Sequence, residues 1–315
     1  MINPEIVKFL ERWDREWAAA ADLTSVQDRR KHFEVVAKNM RLPTPEDVET
    51  GQEYWVDAEP SNVRVRVFRH KESGSQPALI YFHGGAWMQG SPETHWDITA
   101  RLASWCKQTV ISVDYALSPE QPFPAAVYQG MAVVRWAFDR SEDLGIDANR
   151  IAVGGDSAGG NISAAIALHF RDSLQSLCAQ LLIYPAVSFD TDLPSFKENA
   201  SGPMIRTADM PRVNKMYCSK VEDQENPLAA PLKASSHDKL PPTFIAVAEY
   251  DPLRDSGLAY YNTLKEAGVE VSLDSGKGLI HGYLRGMEYC ADSKQKLHDM
   301  ADWLTSIFVT SENLE

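Results

Sequence analysis

Covalent chemistry needs a nucleophile, and one serine in this chain has the setting for it. Ser157 lies in Ile151-Ala152-Val153-Gly154-Gly155-Asp156-Ser157-Ala158-Gly159-Gly160-Asn161, where an apolar run passes through a Gly-x-Ser-x-Gly core into an Ala-rich stretch. A serine on a sharp strand-to-helix turn has a strained backbone, and side chains two positions to either side would strike the neighbouring strand and helix, hence the glycines. The turn lifts the hydroxyl off the sheet and aims the first amides of the new helix at the place where an oxyanion forms. Short Gly and Ser patterns also arise by accident, so the weight comes from the strand before this one and the helix after it.

A serine hydroxyl attacks only when a base takes its proton, and the base needs an acceptor to hold its tautomer. In this architecture both follow the serine, acid first. After the apolar run 243–248 comes Glu249-Tyr250-Asp251-Pro252-Leu253-Arg254-Asp255, and after the run 269–273 comes Gly278-Leu279-Ile280-His281-Gly282-Tyr283. Asp251 is the expected acid, with Glu249 and Asp255 as competitors; Asp255 better suits the N-cap of the next helix. His281 is the expected base, because His70, His95, His169, His237 and His298 lack a strand-end setting and read as surface residues.

Attack on a carbonyl builds negative charge on its oxygen, which fixed N–H donors stabilise. Tyr81-Phe82-His83-Gly84-Gly85-Ala86-Trp87 follows a strand run and exposes backbone without bulk. Gly85 and Ala86 are the expected donors there, with Ala158 as the third and Gly84 standing in if the register is off by one. His83 reads as a residue that hydrogen-bonds the loop backbone rather than a catalyst. Trp87 and Asp156 are the candidate substrate contacts.

These residues require a frame. Eight runs rich in Val, Ile, Leu and Tyr read as strands: 53–56, 63–68, 78–82, 110–113, 151–154, 180–184, 243–248 and 269–273. Val63-Arg64-Val65-Arg66-Val67 alternates as an antiparallel strand near a sheet edge does, while the later runs are nearly all apolar, like buried parallel strands. Amphipathic stretches at 95–107, 125–139, 159–171, 255–267 and 293–308 separate them. The order predicts an α/β fold, a mostly parallel sheet of about eight strands with helices on both faces. Before the first strand lie two helical stretches, one carrying Ile6, Phe9, Leu10, Trp13 and Trp17 and one spanning 26–39. They read equally as an extension of the core or as a lid over an apolar pocket. Residues 186–240 break the rhythm, with one convincing helix near 207–218 and apolar Met204, Met210, Met216 and Tyr217, and read as an insertion crossing the top of the sheet. The division expected is a cap segment at 1–45, core at 46–185, a cap insertion at 186–240 and core again at 241–315.

Composition sets the outer limits. The formal charge of −13 over 315 residues repels phosphate backbones and anionic lipid, so nucleic acid and membrane surfaces are not expected partners. Cys106, Cys178, Cys218 and Cys290 are scattered without CxxC pairs or nearby histidine clusters, so neither a metal site nor a disulfide framework is expected. Met1–Leu10 turns at once to charge with no apolar core of a signal peptide, and no apolar run approaches a membrane span, which points to the cytoplasm.

Taken together, the segments resemble the hormone-sensitive lipase family of α/β-hydrolases, from Leu79 to His281. The resemblance rests on the His83 loop, on Val113-Asp114-Tyr115-Ala116-Leu117-Ser118-Pro119-Glu120 with Pro122-Phe123-Pro124-Ala125-Ala126, on the Ser157 segment, on Asp251-Pro252-Leu253-Arg254-Asp255 and on His281-Gly282-Tyr283. It implies an eight-stranded sheet, a cap built from the N-terminal helices and the insertion, and ester hydrolysis without a cofactor. The partner expected is a small-molecule acyl substrate, an ester with a small to medium acyl group, and a homodimer is compatible with the sequence. Two departures stand out. Ala86 replaces the third glycine of HGGG, which keeps the donor but narrows the space beside it, and Ala116 and Ser118 replace the Arg and Ala of YRLAPE, which puts a structural hydrogen bond in doubt. The same triad also serves amidases and carbamate or lactone hydrolases, and the scaffold also serves small-molecule receptors that have lost a triad residue.

Overall fold

A computed structural model describes residues 1–20, 23 and 25–312. Its strands, in chain order, are β1 (Val48–Val56), β2 (Val63–His70), β3 (Gln76–Phe82), β4 (Thr109–Asp114), β5 (Ile146–Asp156), β6 (Ala179–Ile183), β7 (Thr243–Ala246) and β8 (Val271–Asp274). They form one sheet in the order β1-β2-β4-β3-β5-β6-β7-β8. The Arg-Val alternation of β2 belongs to a strand antiparallel to both β1 and β4, and every other pair is parallel. All eight expected strands are present.

The helices are α1 (Pro4–Ala18), α2 (Val26–Asn39), α3 (Trp96–Trp105), α4 (Ala125–Asp139), α5 (Ser141–Leu144), α6 (Ala158–Phe170), α7 (Pro194–Glu198), α8 (Met210–Tyr217), α9 (Arg254–Glu266) and α10 (Ala291–Glu312). Because side chains alternate across a strand, β3 sends Ala78, Ile80 and Phe82 to one core and Leu79 and Tyr81 to the other. The first core contains side chains of α4, α6 and α9, and the second contains those of α3 and α10. Burial on both sides explains why the central strands are apolar throughout.

Helix α1 packs on the second core. Ile6 and Phe9 of α1 are fully buried in it, and the Asn3 N–H reaches the Gly278 carbonyl at 2.9 Å. Asn3 also caps α1 by accepting from the Glu5 N–H, with Pro4 in the first turn where its missing donor costs nothing. The insertion holds two short helices, α7 and α8, with irregular chain and single helical turns between and after them. Three sequence expectations need correcting. Asp255 lies inside the first turn of α9, which Leu253 caps, and accepts from the Ser195 N–H of α7 at 2.8 Å, so it ties the insertion to the core. His95 and His237 are buried, not superficial: Thr94 Oγ1 faces Nδ1 of His95, and the Pro231 carbonyl faces Nε2 of His237.

Candidate active site

β5 carries Asp156 to the upper edge of the sheet and α6 starts at Ala158, which leaves Ser157 one residue for the reversal. It adopts φ 56° and ψ −116°, a region that side chains rarely enter. Packing enforces the strain: a side chain at Gly155 or Gly159 would run into the carbonyl of Phe82 at the end of β3. The Ser157 N–H is anchored on the Ile183 carbonyl at 2.8 Å.

Two strand-end loops bring up its partners. Tyr250 and Ile280 pair as a parallel bridge, which holds the loops after β7 and β8 side by side. His281 Nδ1 lies 2.7 Å from Asp251 Oδ2, and its Nε2 lies 2.9 Å from Ser157 Oγ. Asp251 is fully buried and its second oxygen accepts the Leu253 N–H at 2.8 Å, so the carboxylate cannot rotate away. An ionised carboxylate facing Nδ1 puts the imidazole proton there and leaves the Nε2 lone pair for the serine hydroxyl. Tyr184 packs against the ring, with centroids 4.8 Å apart.

The loop after β3 supplies the donors. Gly85 has φ 132°, Ala86 55° and Trp87 56°, so three successive residues turn in a direction normally left to glycine. The N–H groups of Gly85, Ala86 and Ala158 have no partner among the described residues. That of Gly84 does: it donates to Asp156 Oδ1 at 2.9 Å, with His95 Nε2 at 3.2 Å, and so is not free for an oxyanion. Asp156, expected at the substrate, lies beneath this loop instead, 3% exposed, and also accepts from the Tyr81 hydroxyl at 2.8 Å. Burial pushes its carboxyl up, but the charge of the nearby Arg285 and the Tyr81 hydroxyl work against that and hold it below the usual carboxylate range. His83 is wholly buried with Nδ1 2.9 Å from the Gly84 carbonyl, the backbone role expected of it.

A cavity partly open to solvent, with about 430 Å³ of empty space, lies beside Ser157. The loop gives it Ala86 and Trp87, and the insertion gives Phe189, Phe196, Met210 and Val213. Neither α1 nor α2 lines it. Trp87 lies flat on Tyr217 of α8 at 4.1 Å and donates from Nε1 to Asn161 Oδ1 at 3.3 Å. Among the described residues no three His, Cys, Asp or Glu side chains are grouped as a metal site would require.

A family model described as alpha/beta hydrolase fold matches residues 79–285. The chain belongs to the alpha/beta hydrolase family. Its likeness to individual members runs wider than the matched stretch. Esterase LipI of Mycobacterium tuberculosis is 41% identical over 216 residues, 68% of this chain and 67% of that protein. An arylesterase of Saccharolobus solfataricus is 36% identical over 90% of this chain and 92% of its own. A solved esterase of Pyrobaculum calidifontis superposes with a TM-score of 0.87 at 34% identity, over 98% of this chain and 99% of that one.

Within this hydrolase the departures of the Tyr115–Glu120 segment find a structural answer. Arg30 of α2 donates to the Ser118 carbonyl at 2.8 Å, to the Met88 carbonyl at 2.6 Å and to Glu120, which holds a segment that has Ala116 where the family usually has arginine. Sequence reasoning overlooked Asn161. Fully buried, it binds Trp87 with its oxygen and donates to the Ala186 and Ala229 carbonyls at 2.8 and 2.7 Å, joining two points of the insertion to α6. The available signal was a carboxamide four residues after the nucleophile, one helical turn beneath it. His95 and Arg285 were also missed, because their partners lie far away in the chain.

Proposed function

We propose that this hydrolase is a serine carboxylesterase acting on small to medium acyl esters through an acyl-enzyme on Ser157. The observation that carries the reading is the unbroken line from Asp251 through His281 to the Ser157 hydroxyl, with links of 2.7 and 2.9 Å. His281 takes the serine proton as Oγ attacks the acyl carbonyl, and Asp251 steadies the imidazolium. The carbonyl oxygen becomes an oxyanion within reach of the Gly85, Ala86 and Ala158 N–H groups, which are already oriented and need not reorganise. His281 returns the proton to the leaving alkoxide, the alcohol departs, and water then repeats the sequence to release the acid.

The cavity supports an apolar group of modest size, since the insertion closes it with aromatic and aliphatic side chains. Residues 186–240 act as the cap in this reading; 1–45, expected as a cap segment, gives the cavity no lining residue and holds the loop after β3 through Arg30 and Glu34. Four free cysteines suit a cytoplasmic setting, and no helix among the described residues is long and apolar enough to cross a membrane. The test is Ser157→Ala assayed with short p-nitrophenyl esters and an active-site fluorophosphonate. We expect kcat to fall by about 10⁴-fold or more and labelling to vanish. Turnover at the parental rate would end the assignment.

A further inference from the structure

Arg285 lies on the turn after His281, and its guanidinium is clasped by the N-terminal helices: its carbon stands 4.7 Å from the ring centre of Phe33 in α2 and 5.8 Å from that of Trp13 in α1. From that seat Nη1 donates to the Thr94 carbonyl at 3.1 Å, and Nη2 comes within 2.6 Å of His95 Nε2. The other ring nitrogen of His95 faces Thr94 Oγ1 at 2.9 Å, and that hydroxyl already donates to the Ser91 carbonyl. The pattern assigns the proton to Nδ1 and a lone pair to Nε2, which suits a neutral ring accepting from Arg285. His95 is 1% exposed.

The Gly84 N–H is shared between that Nε2 and Asp156 Oδ1, at 3.2 and 2.9 Å, while the two acceptors are 3.4 Å apart. The carboxylate oxygen also holds the Tyr81 hydroxyl, so the imidazole lone pair is the acceptor left to share one N–H, and Arg285 relieves that by occupying it. Without the guanidinium the imidazole lone pair would face the carboxylate with only the Gly84 N–H between them, and the loop would shift to satisfy it. Gly84 precedes Gly85 and Ala86, so any shift of its peptide moves both donors.

We propose that Arg285 and His95 are positioning residues for the oxyanion hole, through which the docking of α1 and α2 sets the backbone of residues 84–86. The proposal rests on the serine-esterase reading above. Neither side chain touches the substrate cavity, so their loss weakens transition-state stabilisation while leaving ground-state binding intact. Losing one whole oxyanion donor costs about 10²–10³ in kcat, and a displaced pair of donors should cost roughly ten- to a hundredfold.

The experiment is Arg285→Ala with steady-state kinetics on a short p-nitrophenyl ester and binding of a trifluoromethyl ketone, which forms an oxyanion with the serine. We expect kcat to fall by about tenfold or more with KM within about threefold, and ketone affinity to fall in parallel with kcat/KM. The truncated side chain leaves its own space at the edge of a solvent-open cleft lined by Thr94 and His95, so added guanidinium at sub-denaturing concentration should restore part of kcat. Should Arg285→Ala fail to fold, Arg285→Lys decides: a cation that cannot reach both Thr94 and His95 should lose kcat with KM held. Parental kcat and ketone affinity in whichever variant folds would overturn the coupling. Ser157→Ala in the same series separates the two readings: if it is dead while the Arg285 variant is normal, only the positioning role fails, and if it is active the esterase reading fails.

Discussion

Acidification from about pH 7 to about pH 5 should destabilise this protein through a histidine that takes no part in proton transfer. His83 is fully buried, its ring stacked on Tyr115 with centroids 4.2 Å apart, one nitrogen on the Gly84 carbonyl and the other without a partner. Burial, reinforced by the neighbouring His95, lowers its pKa to about 3. In the unfolded chain the same group titrates near 6.5. Between those values the unfolded state takes up a proton that the folded state refuses, so stability declines as pH falls below 6.5 and goes on declining until the folded group titrates. At about pH 5 the gap of roughly 1.5 units is worth about 2 kcal/mol. His95, also lowered by burial, acts in the same direction. Glu93 stays ionised over this window: burial pushes its carboxyl up, but the Arg64 hydrogen bond and charge prevail and hold it at about 2. The assay is urea unfolding of the parent and His83→Phe at both pH values. Phenylalanine keeps the stack and loses the bond to Gly84, a cost of about 1 kcal/mol that cancels because it applies at both pH values. The parent should lose about 2 kcal/mol more than the variant. Equal losses would refute the idea that a neutral buried His83 makes the fold acid-sensitive.

Two further outcomes follow from packing. Gly159→Ala drives a methyl into the Phe82 carbonyl behind the nucleophile, and because backbone cannot step aside we expect a loss of about 3 kcal/mol or more, read as a lower melting temperature, with fluorophosphonate labelling abolished. Met210→Trp fills the cavity from the α8 side, and an ester chain-length series should show the optimum shortened by about two carbons with acetate turnover little changed; an unchanged profile would mean that the acyl chain lies elsewhere.

What the sequence determined by itself was local or periodic. The central strands were legible because buried parallel strands are apolar throughout, and β2 because Val63–Val67 alternates, and each chemical residue announced itself by its place at a strand end. Ser157 needed its flanking glycines, and Asp251 and His281 needed only the strands before them. Tertiary structure alone decided the rest, since it depended on which distant segments meet. Asp156 looked like a substrate contact from its place beside the nucleophile, yet β3 lies against β5 and turns its carboxylate toward Gly84. The same contact consumes the N–H of Gly84 and leaves Gly85 and Ala86 unpaired. His95 read as a surface residue because it lacks a strand-end setting, whereas Arg285, 190 positions on, comes to its Nε2 in the folded chain. The N-terminal helices could have been lid or core by amphipathicity alone, which shows that a helix buries a face and not what it buries it against. Local pattern reports how a segment sits in water; only the folded chain supplies the other half of each hydrogen bond.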